Sequence, residues 1–440
     1  MKKIVYSLLL LFAVLGCIPE IPVQPVPIDE GYPEGAKVTV RFAVSTGDVM
    51  PATKALGETP ELDSLYLAVF GSSGYLKEYV KAELLGDFRN HDTVEFKATL
   101  TLSDKERSIH FIGNGPSTVD FGYDTDILPE LLSANGGQAF WQMKDNVIIA
   151  GNKEGDSYEP TAETMAQFQD IALIRNYARI ELSAADSAYF HPEYFAVFNV
   201  PAKGAVVPFY DGKFVKDYQN YSFDGVADTL GYPGSLPDST DFVQTPDQWD
   251  VLKVADGEPV YMYERPVPTN EALPTYLIVY GEYDNPHDEA HRGEHYYYKI
   301  DFMEGGAYYP ILRNFKYQIH INKILSIGHV SPEAAAASAG SADVSADIRT
   351  SHLNDISDGE ARLVVQPWMS QTFIKKQTNN SVLHVKFFDD AMSSEPNMVY
   401  SAVTCEKLAM PAGQEDVIES YSIGYPYQAS GTDKGWRTQI

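Results

Sequence analysis

The sequence has little cysteine and few basic residues, and each shortage excludes a class of protein. Its 440 residues include two cysteines, Cys17 and Cys405, too few for a disulfide framework, so stability has to come from packed cores. Lysine and arginine number 33 against 61 acidic residues, which gives a formal net charge of -28. So acidic a chain repels phosphate backbones, and the sequence therefore predicts no nucleic-acid partner.

Motifs for catalysis are also lacking. There is no G-x-S-x-G elbow, and no glycine-rich loop opens a helix to cradle a phosphate. Acidic residues occur throughout the chain, but no sequence feature identifies two of them as a catalytic pair for glycoside hydrolysis. We therefore predict that the protein is not an enzyme, has no catalytic residues and needs no cofactor.

One histidine cluster offers metal ligands. His287, His291 and His295 recur every four residues, and on a helix they would share one face, enough to hold zinc. Pro286 and Gly293 bracket the segment, and strand-like sequence flanks it. The pattern favours a solvated hairpin loop, with a zinc site as the alternative.

An acidic cluster raises the same question for calcium. Asp120, Asp124, Asp126 and Glu130 supply hard oxygen ligands at close spacing. The spacing does not follow the calcium-loop pattern, and aspartates are common in turns. We predict a plain acidic turn and no metal site.

The first residues have the order of a secretory signal. Lys2 and Lys3 precede an apolar run, Ile4 to Val14, that is too short to span a bilayer. The run closes at Val14-Leu-Gly-Cys17, which resembles the bacterial lipobox. The resemblance implies that Cys17 is acylated, with palmitate among the chains, and that the signal is removed. Several acyl chains would anchor the protein stably; ordinary secretion with a coincidental cysteine is the alternative.

Short segments of strand character dominate the remainder. Lys37 to Val44 alternates apolar and polar residues with period two, and similar segments recur between turn residues. The pattern predicts an all-β fold of consecutive sandwiches. Ile171 to Leu182 is predicted as one long strand linking them. The predicted division is a signal at 1–17, a proline-rich tether at 18–36, an N-terminal β-sandwich at 37–172, a C-terminal β-sandwich at 173–370, and an additional β segment at 371–440 whose completeness stays open.

The order of landmarks along residues 1 to 370 resembles the fimbrillins, the subunits of type V pili in gut and oral Gram-negative bacteria. Each landmark is a short segment in the expected order after the lipobox. They are Ala52-Thr-Lys-Ala55, Leu62 to Phe70, Phe111-Ile-Gly-Asn114, Leu173 to Ile180, Tyr309 to Tyr317 and Leu363 to Trp368. The resemblance implies that each domain is a transthyretin-like β-sandwich.

The resemblance also implies a mechanism of assembly. A protease removes the first strand of a fimbrillin, and a strand from the next subunit fills the open groove through edge pairing. Here the removable strand is Lys37 to Val44, and the cut falls between Lys54 and Ala55. The family usually has arginine at the cut, so Lys54 is a departure. It favours a chain that stays uncut and lipid-bound, as an anchor or accessory subunit does.

The resemblance thus predicts a fimbrial subunit, anchor or tip component that mediates adhesion at the outer membrane. Its expected partners are other fimbrial subunits, the membrane through Cys17, and a ligand on a host or bacterial surface. The alternative is a surface glycan-binding lipoprotein with β-sandwich domains. Trp249 and Trp436 lie in polar sequence and are candidates for ligand contact, whereas Trp141 and Trp368 border strands and are predicted to fill cores.

Overall fold

Strands make up most of the regular structure of this protein. The computed structural model describes residues 31–46, 62–85, 93–134, 137–169, 171–210, 212–216, 242–243, 245–265, 274–304, 307–308, 310–352, 356–357, 362–366, 382–388, 427–428 and 436–439. Within this part of the chain, no helix is long and apolar enough to cross a membrane.

The first twelve strands build the first sandwich and its edges. They are β1 (Lys37–Ser45), β2 (Leu65–Gly71), β3 (Leu76–Lys81), β4 (Glu83–Leu84), β5 (Thr93–Thr101), β6 (Ser103–Gly113), β7 (Leu132–Ala134), β8 (Phe140–Ile149), β9 (Gly151–Glu154), β10 (Ser157–Pro160), β11 (Ile171–Ala172) and β12 (Ile174–Arg175).

The next fifteen strands build the second sandwich and its ribbons. They are β13 (Tyr177–Ala184), β14 (Phe190–Phe198), β15 (Val200–Pro201), β16 (Lys203–Ala205), β17 (Phe209–Tyr210), β18 (Lys213–Phe214), β19 (Phe242–Val243), β20 (Val254–Ala255), β21 (Val260–Tyr263), β22 (Tyr276–Tyr283), β23 (Glu294–Asp301), β24 (Met303–Glu304), β25 (Ala307–Tyr308), β26 (Phe315–Ile324) and β27 (Val344–His352).

Five further strands and a few short helices complete the described structure. The strands are β28 (Ile356–Ser357), β29 (Arg362–Gln366), β30 (Val382–Phe388), β31 (Tyr427–Gln428) and β32 (Trp436–Gln439). The helices are α1 (Asp124–Ile127), α2 (Ala162–Gln167), α3 (Trp249–Leu252) and α4 (Pro332–Ala337), with 3-10 turns at Asp186–Ala188 and Pro246–Gln248.

Two sandwiches follow one another, and they share one strand order. In the first sandwich, the sheet β11-β1-β5-β4 packs on the sheet β3-β2-β6-β8-β12. In the second, the sheet β21-β13-β26-β27 packs on the sheet β20-β14-β22-β23. β26 and β21 flank β13 in the same way as β11 and β5 flank β1. One apolar core lies between the sheets of the first sandwich, and another fills the second and reaches the seam between them. The predicted all-β fold with two consecutive sandwiches is confirmed.

The segment predicted as one long linking strand is three short strands in three sheets. β11 pairs with β1, β12 pairs with β8 across the sandwich, and β13 opens the second sandwich. Leu173 and Asn176 make the two breaks: the Leu173 N–H donates to the Ser45 carbonyl at 2.7 Å, and the Asn176 N–H donates to the Ala139 carbonyl at 3.0 Å. The prediction of an unbroken strand was wrong because each change of sheet redirects the backbone hydrogen bonds.

Other segments differ from the predicted pattern in extent or partner. The segment predicted as a plain acidic turn contains the short helix α1, and Leu132–Ala134 beyond it pairs as β7 with β16 of the second sandwich. β29 lies within the predicted C-terminal sandwich but pairs with β30 in a further sheet of order β28-β29-β30-β32-β31. In both cases a remote partner decides what the local pattern leaves open.

Candidate functional site: the first strand and its groove

The backbone ladders of β1 lie almost entirely on one side, although β10 also packs against the strand. It pairs antiparallel with β5 over nine residue pairs, from Lys37–Thr101 to Ser45–Thr93. On its other side β11 runs parallel and covers two residues, Val44 and Ser45. In an antiparallel pair, half of a strand's backbone groups point away from the partner. Among the described strands, the ladder on that outer side of β1 is therefore confined to its last two residues.

The inner face of β1 is apolar and buried. Val38, Val40, Phe42 and Val44 alternate along the strand and are each at most 2% exposed. The ring of Phe42 packs against three other phenylalanine rings, with centroids 5.7 to 6.3 Å apart. Burial of such side chains contributes roughly 1.5–3 kcal/mol each. The strand is thus held mainly by its ladder with β5 and by four side chains that fill one trough.

That trough, the first-strand groove, is defined by the residues beneath and beside β1. Its walls and floor come from β5, β6, β11 and the end of α2. The residues are Phe96, Ala98, Leu100, Phe111, Phe168 and Ile171, all buried in the same core. Phe168 was missed from the sequence because it lies outside any strand-like pattern. It caps α2, whose N-cap Thr161 accepts a hydrogen bond from the Thr164 N–H.

The chain that enters β1 is also fixed to the first sandwich. The Leu102 N–H donates to the Ala36 carbonyl at 2.9 Å, and the Gly151 N–H donates to the Tyr32 hydroxyl at 3.2 Å. The ring of Tyr32 meets that of Tyr158 edge-on at 5.9 Å. Any partner that replaces β1 therefore has to displace a segment that begins at Tyr32.

Arg41 is the one arginine of the first strand. Its side chain is exposed on the outer face of the sheet, but its backbone lies inside the β1–β5 ladder opposite Lys97. Ser45 closes the strand and is fully buried. The predicted lipid acceptor Cys17 and the predicted cut between Lys54 and Ala55 lie outside the described residues.

Trp249 was considered a candidate for ligand contact, but its side chain is buried. Its side chain is 5% exposed, in a small cluster on the outer face of the second sandwich. The ring stacks on Phe198 at 6.5 Å and meets Tyr297 edge-on at 5.3 Å. Polar neighbours in sequence concealed this burial, because α3 turns the indole inward. Trp436 begins β32, but its side chain lies outside the described residues.

The three histidines considered for zinc lie on and beside the loop between β22 and β23. His291 Nδ1 lies 3.0 Å from the Asp288 carboxylate, and His295 Nε2 lies 3.0 Å from Glu193. His287 is exposed. Within the described ranges, no three histidine, cysteine or acidic side chains gather into a group that could hold a metal ion.

The aspartates considered for calcium lie at α1. Asp124 and Asp126 lie in the helix and have their own local contacts, and burial raises the pKa of Asp124. The Asp124 carboxylate accepts a hydrogen bond from the Thr125 N–H at 2.8 Å. Asp120 precedes the helix and Glu130 follows it. Asp124 and Asp126 therefore form the acidic first turn of a short helix.

A seam joins the two sandwiches, and no local sequence pattern indicates it. The ribbon of β17 and β18 carries Phe214 onto the first sandwich, where its ring lies 4.8 Å from His110 and 6.2 Å from Trp141. His110 Nδ1 accepts a hydrogen bond from Trp141 Nε1 at 3.2 Å. Complete burial lowers the pKa of His110 to about 3, so this imidazole is neutral at physiological pH.

No family model matches the chain, and no curated protein matches it. Three solved structures are similar to it over 72% of its length. They are the tip fimbrial protein Mfa3 of Porphyromonas gingivalis (13% identity, 99% of that chain, TM-score 0.43), a putative cell adhesion protein of Bacteroides eggerthii (12%, 95%, 0.39) and another of Parabacteroides distasonis (15%, 96%, 0.39). Fimbrial and cell-adhesion proteins were the neighbours that the fimbrillin resemblance led us to expect. At such low identities we take the functional argument from this chain's own residues.

Proposed function

We propose that this protein is a cell-surface fimbrial component, a subunit, anchor or tip protein, that takes part in adhesion, and that its first-strand groove accepts a strand of another subunit when β1 is removed. The observation that carries the proposal is the one-sided attachment of β1. Nine residue pairs hold it to β5, and two hold it to β11. Its departure would expose a long apolar groove beside an unpaired edge of β5, which is what a donor strand from another subunit recognises.

A donor for this groove has to reproduce the alternation of β1. It needs apolar side chains at every second position, because a shift of one residue would turn the apolar set toward solvent. The sequence of β30 meets this condition, with a basic residue in the place of Arg41. Leu383, Val385, Phe387 and Lys386 correspond in order to Val38, Val40, Phe42 and Arg41. We infer that β30 of a neighbouring copy, once released from its pairing with β29 and β32, is a suitable donor.

Position 54 then determines which role the chain has. A protease specific for arginine does not cleave after Lys54, so β1 stays in place and the chain stays joined to the lipid on Cys17. We infer that this protein is the lipid-bound anchor or an accessory subunit, and that the groove stays closed by its own strand. Residues 1–17 as signal and 18–36 as tether belong to the same proposal.

The test is to make position 54 cleavable. Cells that carry an arginine-specific surface protease would express the parent chain, Lys54→Arg and the matched control Lys54→Gln. We expect only Lys54→Arg to yield a mature chain that begins at Ala55, read by N-terminal sequencing, and to form SDS-resistant ladders. The parent and Lys54→Gln should stay uncut and monomeric in SDS.

Two outcomes would contradict the proposal in different ways. A parent chain that already begins at Ala55 would refute the anchor role while leaving strand exchange intact. A Lys54→Arg chain that is cut but neither forms ladders nor binds a synthetic peptide of the β30 sequence would refute strand exchange. A peptide with Phe387→Asp is the matched control, because it places a charged side chain at the position that corresponds to the buried Phe42.

The lipid is tested separately. Metabolic labelling with a palmitate analogue should mark the parent chain, and Cys17→Ser should remove the label and release the protein into the medium. Retention of Cys17→Ser at the outer membrane would show that something other than an acyl chain holds it there.

A further inference from the structure

A cavity of about 600 Å³ opens at the seam between the two sandwiches. The beginning of β2 and the end of β6 form one side, and the segments around β7 and β16 form the other. Pockets for small ligands fall in this size range and occur preferentially where domains meet. We refer to it as the junction cavity.

The lining of the junction cavity is polar and acidic. Asp63, Glu130, Ser64 and Gln138 contribute carboxylate, hydroxyl and amide groups, and no lysine, arginine or histidine lies among the described lining residues. Leu131, Leu132 and Val206 supply an apolar patch.

Hydrogen bonds order parts of the cavity wall. Asn114 adopts a left-handed conformation with φ of 54°, and its Oδ1 accepts hydrogen bonds from the Asp63 and Ser64 N–H groups at 2.8 and 3.1 Å. Across the seam, the Val206 N–H donates to the Leu131 carbonyl at 2.9 Å. Lining groups that are ordered before a ligand arrives lower the entropic cost of binding.

Gln138 lines the cavity, and no donor reaches its Oε1 among the residues that the structure describes. That oxygen is shielded from solvent, so a ligand meets it only when the side-chain amide turns toward the cavity. Buried polar atoms nearly always have hydrogen-bond partners, and such a turn would give this oxygen one without breaking a bond that it already makes.

We propose that the junction cavity binds a neutral saccharide unit. Paired carboxylates accept hydrogen bonds from neighbouring sugar hydroxyls, the amide serves as donor or acceptor, and the apolar patch faces the C–H side of the ring. The volume fits one or two sugar rings. The two carboxylates and the absence of a lining cation disfavour an acidic sugar, since like charges repel at close range. This site is separate from the first-strand groove and needs no strand exchange.

The experiment uses the mature, uncleaved, full-length chain in detergent with four probes: glucose, galactose, mannose and N-acetylglucosamine. Saturation-transfer NMR and calorimetry measure binding. Ligands of this size bind with dissociation constants on the order of millimolar. We expect at least one probe to bind saturably and its uronic acid to bind at least about tenfold weaker.

Isosteric variants test the residues. Asp63→Asn and Glu130→Gln should each weaken binding by about tenfold, because a neutral amide oxygen accepts a weaker hydrogen bond than a carboxylate. Glu163→Gln, in the first turn of α2, changes the net charge equally and should leave binding unchanged. Circular dichroism confirms that each variant is folded.

The proposal is overturned if no probe binds at roughly 50 mM, well above the expected constant. It is equally overturned if binding persists unchanged in both cavity variants, since the sugar would then lie elsewhere. Because the assay uses monomeric protein, its failure leaves the strand-exchange proposal standing. A failure of the ladder assay likewise leaves the sugar result intact.

Discussion

The two sandwiches begin with strands in the same place but held in different ways. β13, like β1, lies between an antiparallel strand and a parallel one. Its parallel ladder with β26 has six residue pairs, and its antiparallel ladder with β21 has four. β1 has nine pairs on its antiparallel side and two on its parallel side. One architecture thus contains a first strand held from both sides and another that one partner holds almost alone.

A buried ion pair strengthens the difference. Glu264 follows β21 and Arg313 precedes β26, and their side chains meet across the beginning of β13 at 2.6 Å, with 5% and 0% exposure. Arg313 also donates to the Ala205 and Val206 carbonyls, and the Tyr210 hydroxyl donates to Glu264. The second sandwich therefore holds its first strand through a buried ion pair as well as two ladders, whereas the parallel ladder of β1 has only two residue pairs.

The largest expected effect comes from breaking the ion pair between Glu264 and Arg313. Arg313→Met leaves the Glu264 carboxylate buried without its cation, which typically costs about 3–5 kcal/mol. We expect hydrogen exchange to accelerate throughout β13, β21 and β26, with β1 and β5 much less affected. The paired change Arg313→Met with Glu264→Met should recover most of the loss. No recovery would mean that the two side chains act independently.

Next in size is a change on β1 itself. Phe42→Ala removes the ring that packs against three other phenylalanines, and such truncations cost about 3–5 kcal/mol. Peptides from β1 should exchange amide hydrogens faster than in the parent chain, and a synthetic peptide of the β1 sequence should displace the strand faster. Equal loss of protection in β13 would contradict the independence of the two first strands.

The seam between the sandwiches gives a pH-dependent effect. His110 has a pKa of about 3 in the folded protein, because burial opposes its charge, and an ordinary value of about 6.5 when unfolded. Between these values the unfolded chain binds more protons, so acidification destabilises the fold, by about 1.4 kcal/mol per pH unit from this group. His110→Gln keeps an acceptor for Trp141 and cannot titrate in this range. Urea titrations from pH 6.5 to pH 4 should show a shallower loss of stability for the variant; identical slopes would contradict the assignment.

The smallest expected effect is on the outer face of β1. The hydroxyls of Thr39 and Thr99 share a solvent-exposed hydrogen bond of 3.0 Å. Thr39→Ala should cost less than about 1 kcal/mol, as cross-strand pairs usually do. Urea unfolding of Thr39→Ala and Phe42→Ala compares the contribution of the outer face of β1 to the free energy of unfolding with that of its buried apolar face. A cost as large as that of Phe42→Ala would mean that the buried face is not what retains the strand.

Some strands could be predicted closely from the sequence. The first strand was predicted at Lys37 to Val44 and is found at Lys37–Ser45, since period-two alternation over eight residues has one physical solution on a half-buried sheet. The prediction of one unbroken strand at Ile171 to Leu182 failed because this segment does not keep such alternation along its whole length. Its continuous apolar character is compatible with any sheet, and the breaks at Leu173 and Asn176 come from remote carbonyls.

The candidate sites divide in the same way. The first-strand groove was anticipated because β1 and its landmarks carry local patterns, whereas Phe168 enters it from a segment without one. Trp249 was expected at the surface because its sequence neighbours are polar, but a short helix turns it inward. The junction cavity had no sign in the sequence, because segments from residue 63 to residue 206 contribute to it.

The sequence by itself determined the acidic surface, the order of strands along the chain and the apolar face of each alternating segment. These depend on side-chain chemistry and on the local geometry of a pleated chain. The tertiary structure decided which strand pairs with which, that β1 is held from one side and β13 from two, and where the sandwiches enclose a cavity. Backbone N–H and C=O groups are chemically alike along the chain and do not specify a partner. Strand pairing is therefore decided only when remote segments pack together.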